Sequence, residues 1–312
     1  MKERGHVMEE LEFYVNPSPN VFKGFQASFT ASPFIVIGVP FDSTSTYRAG
    51  SRFAPRAIRE ASINIEGFSW RTRLDIEEIK TCDLGDVNVV QGDVKETLKR
   101  VERVVKKVKE AGKIPILIGG EHTITYGAMM GAGKSALLCF DAHLDMRDEY
   151  PEGVKMSHAT FMRRLTEAYG HDSVILVGVR AACREEVDYV EKKGVMMITS
   201  MEVTELGALE VARKIKAKLE GFSQLYISVD LDVLDPAYAP GVSNPEPEGL
   251  TLTSLLEVLN LVIDRRIVGL DVVEVCPPFD NGLAAIHAAK LLFEEIAYVS
   301  RSLRASFNPE QN

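Results

Sequence analysis

Short apolar runs rich in valine, isoleucine and leucine alternate with longer amphipathic stretches along nearly all of this 312-residue chain. The runs are PFIVIGVPF, IPILIGG, SALLCFDAH, SVILVGV, VMMIT, QLYISVDLD and IVGLDVVEV, with IKTCDLG a weaker eighth. Several are apolar throughout, as a strand covered on both faces requires, and parallel strands are the ones so covered. Helical spacing of apolar residues marks 93–111, 121–131, 158–169, 184–193, 205–220, 252–264 and 282–303. Strand then helix, repeated, predicts an α/β fold: an open, mostly parallel sheet of about eight strands with helices on both sides. No linker rich in Pro, Gly or Ser interrupts the pattern and no internal repeat divides it, so residues 1–312 are expected to form a single domain.

Ligands of such sheets bind beyond the carboxyl ends of the strands. Four runs carry their unusual residues there: Glu121 and His122 after IPILIGG, Asp141, His143 and Asp145 after SALLCF, Asp230 and Asp232 after QLYISV, and Glu274 near the end of IVGLDVVEV. In extended backbone, residues two apart point the same way. Each of the two aspartate clusters therefore converges on one side of its strand. Taken singly, any of these ends reads as a solvated turn or a helix cap. Four of them on one rim read as a site. Like charges held together in a half-buried place are costly unless paired or bound to metal, so a metal site is the expectation.

Composition narrows the remaining classes. A net charge of −9, with no cluster of Lys and Arg interleaved with aromatics, argues against a nucleic-acid partner. The basic segment VERVVKKVKEAGK carries its charges at helical spacing with Glu102 and Glu110 among them, as a solvated helix face does. Cys82, Cys139, Cys183 and Cys276 are scattered, which fits buried thiols in a reducing compartment. No apolar run approaches the ~20 residues of a membrane span, and the charged N-terminus lacks the apolar core of a signal peptide. A globular, cytoplasmic protein without a membrane partner is expected. GAGKS at 131–135 lacks the first glycine of a phosphate loop, since Ala128 stands there, and it precedes a strand; it reads as a helix-to-strand turn. The D-x-H at 141–143 is shared with two-metal phosphoesterases, but their partner signatures are missing.

The blocks GGEH, DAHLD, SVDLDVLDPAYAPG and VVEVCPP, in this order, resemble the signatures of the ureohydrolase (arginase/agmatinase) family, and VPFDSTSTYRAGSRFAPRAIREAS is similar to its N-terminal block. The resemblance runs from about residue 34 to about 290 and is most like an agmatinase. It implies a three-layer α/β/α fold, a homo-oligomer (trimer or hexamer), and two manganese ions per chain. One ion would be held by His122, Asp141, Asp145 and Asp230, the other by Asp141, His143, Asp230 and Asp232, with Asp141 and Asp230 bridging. Four carboxylates and two imidazoles without a thiolate are a hard donor set that suits manganese better than structural zinc. Such a pair of ions can lower the pKa of a shared water toward neutrality. Attack on a guanidinium carbon then gives urea and an amine once the leaving nitrogen is protonated. His158, in SHATF, resembles the family's shuttle histidine, although Ala159 stands where glycine is common. Glu274 looks like the carboxylate that binds the guanidinium. Ser243 and Asn244 depart from the family's Gly-Thr-Gly-Thr-Pro and carry no assigned role. His6, His171 and His287 show no partner pattern and read as surface or helix positions.

The substrate's tail is read from the loop MRDEYPEGVKMS. It lacks the Asn and hydroxyl cluster with which arginases of the family hold an α-carboxylate, and Asp148, Glu149 and Glu152 offer negative charge against Arg147 and Lys155. Asp148 and Glu149 are therefore expected to bind substrate, agmatine first, with aminopropylagmatine, arginine or a guanidino acid as alternatives. Outside the class stands a single-zinc deacetylase-like amide hydrolase, against which the complete paired clusters speak. A non-catalytic binding protein would have no need of His158 and Glu274 beside the full metal set.

Overall fold

The computed structural model describes residues 8–305. Its strands are β1 (Val15–Asn16), β2 (Phe34–Gly38), β3 (Phe68–Ser69), β4 (Leu74–Asp75), β5 (Thr81–Val87), β6 (Ile114–Ile118), β7 (Ala136–Phe140), β8 (Val174–Val179), β9 (Met196–Thr199), β10 (Leu225–Asp230) and β11 (Ile267–Val273). β3 and β4 pair as a separate hairpin. The other nine form one sheet in the order β1-β5-β2-β6-β11-β10-β7-β8-β9, parallel except for β1, which runs antiparallel to β5. All eight expected strands are present. The ninth, β1, has only two residues, too few for any periodicity to show.

The longer helices are α1 (Ala54–Ile63), α2 (Val94–Glu110), α3 (Ile124–Ala132), α4 (Phe161–Tyr169), α5 (Arg184–Lys193), α6 (Ser200–Lys218), α7 (Leu252–Val262) and α8 (Leu283–Ala305). They cover both faces of the sheet. Ile35, Leu117, Leu137 and Leu176 point to the side packed by α2 to α5, and their neighbours Val36, Ile116, Leu138 and Ile175 to the side packed by α1, α6, α7 and α8. The layering is α/β/α. In α2, Asp93 caps the N-terminus by accepting from Glu96 N–H, and Leu98, Val101, Val104, Val105 and Val108 form the buried stripe. Each such valine contributes roughly 1.5 kcal/mol or more on burial, which outweighs its modest helix propensity. The turn expected at 131–135 lies at 133–135, between α3 and β7, with Gly131 and Ala132 closing the helix. No helix among the described residues is long and apolar enough to cross a membrane.

The helix α1 carries no clean apolar stripe, because Arg59 occupies its buried face. That guanidinium is fully buried and donates from Nε and Nη2 to Asp83 at 2.8 and 2.9 Å, and from Nη1 to Asp86 at 2.6 Å. The group ties α1 to β5. β6 and β7, consecutive in the sheet's construction, are separated by β11 and β10, which enter between them last. The crevice that such a reversal opens lies at the carboxyl ends of these four central strands.

Removing one member of a buried ion pair leaves the other charge uncompensated, typically at about 3–5 kcal/mol. Arg59→Ala should therefore lose about 3–5 kcal/mol in urea unfolding, with Asp83 left facing α1. A loss below about 1 kcal/mol would show that the pair does not hold the layer.

Candidate metal centre

Each of the four central strands delivers its polar groups to the same crevice. β6 leaves the sheet through Gly119 and Gly120 before Glu121 and His122. A Cβ on Gly120 would sit 1.9 Å from the Phe41 carbonyl oxygen, so only glycine permits this close pass. Asp141, His143 and Asp145 follow β7, Asp230 ends β10 with Asp232 just beyond, and Glu274 follows β11. Asp145 and Glu274 hold φ of 52° and 63°, a left-handed conformation that costs a non-glycine residue of order 1 kcal/mol and clusters at functional sites.

The six expected ligands come together. His122 Nδ1 lies 2.9 Å from Asp141 Oδ2, 3.2 Å from Asp230 Oδ2 and 3.5 Å from Asp145 Oδ2. His143 Nδ1 lies 3.0 Å from Asp232 Oδ2 and 3.5 Å from Asp141 Oδ1. Asp141 touches both groups. His122 Nδ1 and Asp141 Oδ2 are buried, yet neither makes a hydrogen bond: they stand at hydrogen-bond distance without its directionality. Lone pairs that face a common point in this way suit a cation between them.

Electrostatics agree. Burial pushes Asp145 up to about 7, helped by Asp141 beside it. Burial, Asp232 and Asp141 raise Asp230 well above the carboxylate range. Burial opposes ionisation of Asp141 as well, but the imidazoles of His122 and His143 outweigh it and hold that carboxyl below its usual value. The protein's own groups leave the cluster short of positive charge, and two divalent ions would supply it. His122, Asp141, Asp145 and Asp230 could hold one ion, and Asp141, His143 and Asp232 a second.

Above the cluster opens a cavity of about 430 Å³, lined among others by Thr46, Tyr47, Arg147, Tyr150, His158, Glu246 and Glu274. Glu274 Oε1 accepts from His122 N–H at 2.6 Å, while its buried Oε2 makes no directed hydrogen bond among the described residues, the Ser243 side chain lying beside the carboxylate. His158 is held by two threonines: Thr44 Oγ1 accepts from its N–H at 3.0 Å, and Thr46 Oγ1 lies 2.9 Å from Nε2. Thr44 is anchored in turn by the buried Glu121, which accepts from its N–H and hydroxyl. Burial and the nearby His143 and His122 lower His158 to about 4, so its ring is neutral at pH 7. Ala159 and Asn244 also line the cavity; Ser243 is buried.

The structure does not bring Asp148 and Glu149 to the cavity. Asp148 Oδ1 accepts from Arg164 at 2.8 Å with Arg163 Nε 3.6 Å away, and Lys155 Nζ lies 3.6 Å from Glu149. The expectation that these acids face the substrate's tail is corrected accordingly: the two arginines of α4 and Lys155 absorb the loop's negative charge, and Glu152 points to solvent. The acids on the wall are Glu186 and Glu246. Both oxygens of Glu186 are taken by backbone, accepting from Met146 and Cys183 N–H at 3.0 Å each. Among the described residues the Glu246 carboxylate makes no hydrogen bond or ion pair, although the Arg180 charge is within electrostatic reach of it; its loop is fastened by Arg180, which donates to the carbonyls of Asp232, Glu246 and Pro247. The run VGVRAACREE could have nominated this wall, since β8 ends on the same rim. His171 pairs with the Tyr189 hydroxyl and His287 with the Tyr238 carbonyl, away from the crevice, and His6 lies outside the described residues.

The arginase-family profile matches residues 32–297. The chain belongs to the arginase family. It is 36% identical over 270 residues to an agmatinase of Bacillus anthracis, covering 85% of this chain and 90% of that one. It is 33% identical over 271 residues to an N(1)-aminopropylagmatine ureohydrolase of Thermococcus kodakarensis, covering 86% and 91%. The crystal structure of agmatine ureohydrolase of Thermoplasma volcanium superposes with a TM-score of 0.85 at 36% identity, over 95% of this chain and 99% of that one. The chain is an amidinohydrolase of the agmatinase-like kind.

Protein stripped of divalent ions by a chelator should gain thermal stability when manganese is restored. At a hundredfold excess over Kd the gain is about 2.7 kcal/mol per site. Asp141→Asn should lose most of that gain in scanning calorimetry and Asp148→Asn should keep it. Equal gains in both variants would remove Asp141 from the metal set.

Proposed function

We propose that this protein hydrolyses agmatine to putrescine and urea with two manganese ions held by the six residues above, Asp141 and Asp230 serving both. The observation that carries the reading is the buried Glu274 Oε2, without a directed hydrogen bond among the described residues, on the cavity floor beside the ligand cluster. Bound there, two such ions would supply an activated water as the nucleophile. Glu274 receives the planar guanidinium through charge-assisted hydrogen bonds and holds its carbon over the cluster. Attack makes a tetrahedral carbon, and its C–N bond to the tail breaks when the leaving nitrogen takes a proton.

His158 is placed to move that proton. Thr44 and Thr46 orient its ring, and burial beside His143 keeps it neutral until a proton arrives, which it then passes readily to the amine. His158→Ala should lower kcat about 10²-fold with two metals still bound per chain. A variant that lost its metals yet kept its turnover per metal pair would remove the shuttle role.

The tail is read from the wall. Arg147 stacks over Tyr150 with its Cζ 4.5 Å from the ring centroid and has Glu186 3.8 Å from its Nε, so its charge is shared. Glu246 has no ion pair among the described residues, and a terminal ammonium answers it better than a carboxylate does. The longer amine of aminopropylagmatine presents the same cationic end. Glu246→Gln should raise KM for agmatine about 10-fold at nearly unchanged kcat, the loss of one charge-assisted contact. Urea release from agmatine, aminopropylagmatine, arginine and guanidinobutanoate by manganese-loaded protein tests the choice. Arginine cleaved as efficiently as agmatine would defeat it.

A further inference from the structure

One layer beneath the ligands lies a set of buried polar groups that binds neither metal nor substrate in the reading above. On β10 the period of two puts Tyr226, Ser228 and Asp230 on the same face. Ser228 stands in register with Cys139 of β7 on one side and with Asp271 of β11 on the other. Asp271 is fully buried in the middle of an otherwise apolar strand. Its Oδ1 accepts from Ser228 Oγ at 2.5 Å, and its Oδ2 accepts from Tyr226 Oη and Thr125 Oγ1 at 2.9 Å each. Ser228 Oγ in turn lies 2.9 Å from His122 Nε2.

The proton directions follow from the donor inventory. With its hydroxyl hydrogen committed to the Asp271 carboxylate, Ser228 Oγ can only accept from His122, so the ring hydrogen sits on Nε2. The Cys139 thiol, 3.7 Å from the same nitrogen, is a weaker second neighbour. In the neutral ring, the form that can bind metal, Nδ1 then carries the lone pair, and it is the atom that faces Asp141, Asp145 and Asp230. A chain of two hydrogen bonds thus determines which nitrogen of His122 can bind metal.

We propose that Asp271 is a positioning residue for one of the two ions: acting through Ser228, it fixes the tautomer and orientation of His122 so that Nδ1 is available as a ligand. The inference rests on the metal-pair reading. His143 has no link to this chain, so the other ion should be indifferent to Asp271. In Asp271→Asn the amide oxygen can keep Tyr226 and Thr125 while the NH2 turns to Ser228. The serine hydrogen then points at Nε2, the ring hydrogen moves to Nδ1, and the lone pair is lost.

Manganese binding to full-length wild type, Asp271→Asn, Ser228→Ala and Tyr226→Phe, followed by chelator competition and electron paramagnetic resonance, tests this. Wild type should show a spin-coupled pair. Asp271→Asn and Ser228→Ala should bind one ion normally and the other about 10- to 100-fold more weakly, with the isolated-ion spectrum in place of the coupled one. Tyr226→Phe removes an equally buried hydrogen bond to Asp271 but leaves the chain to His122 intact, and should retain the pair. If Asp271→Asn does not fold, Ser228→Ala decides. A coupled pair at wild-type affinity in Asp271→Asn, or in Ser228→Ala, overturns the relay alone, as does the loss of one ion in Tyr226→Phe as well. A wild type that takes up no pair overturns the metal reading and the relay with it.

Discussion

Four carboxylates and two imidazoles share one buried crevice, and their mutual repulsion and desolvation are the constraint that the surrounding structure answers. Asp141 and Asp230 are almost fully buried, on adjacent central strands whose register sets their separation. A surface cluster could relax by moving apart or by recruiting solvent. This one can do neither, because the strand ends are fixed by ladders of hydrogen bonds on both sides. Protonation, toward which burial already pushes Asp145 and Asp230, and bound cations are the remaining remedies. The nearby backbone is organised around keeping that arrangement: Gly120 permits the close turn into His122, and Arg180 fastens the segment bearing Asp232 to the one bearing Glu246.

The sheet was largely legible in the sequence because doubly covered parallel strands leave long runs of Val, Ile and Leu that nothing else in a protein of this class produces. The six candidate ligands were legible for a related reason: charge at the end of such a run is conspicuous. What was hidden was polarity inside regular elements. Arg59 breaks the apolar stripe of α1 and conceals the helix, since a buried guanidinium paired with Asp83 and Asp86 looks, from sequence, like an exposed one. Ser228 and Asp271 pass for ordinary strand residues until register sets them side by side. Asp148 and Glu149 read as tail contacts because the sequence shows the charges of the 146–157 loop but not their pairing, Asp148 with the arginines of α4 and Glu149 with Lys155. Glu246 sits on a different loop, brought to the wall by contacts distant in sequence.

This division has a structural logic. Apart from His158, which sits in the loop just before α4, groups proposed to act on the guanidinium come from strand ends or immediately beyond them, where the sheet fixes their position. Groups proposed to select the tail, Glu246 with Tyr150 and Arg147, come from loops that the sheet does not constrain. Loops change length and charge at little cost to the core, whereas a shift of one strand end would disturb every ligand at once. Relatives named for agmatine and for aminopropylagmatine match this chain over nearly the same span at similar identity. A shared sheet with independently varied rim loops is the arrangement in which tail preference can change while the bond that is broken stays the same. On the proposed reading, substrate choice within this chain therefore rests on the charge balance of the wall and not on the metal cluster.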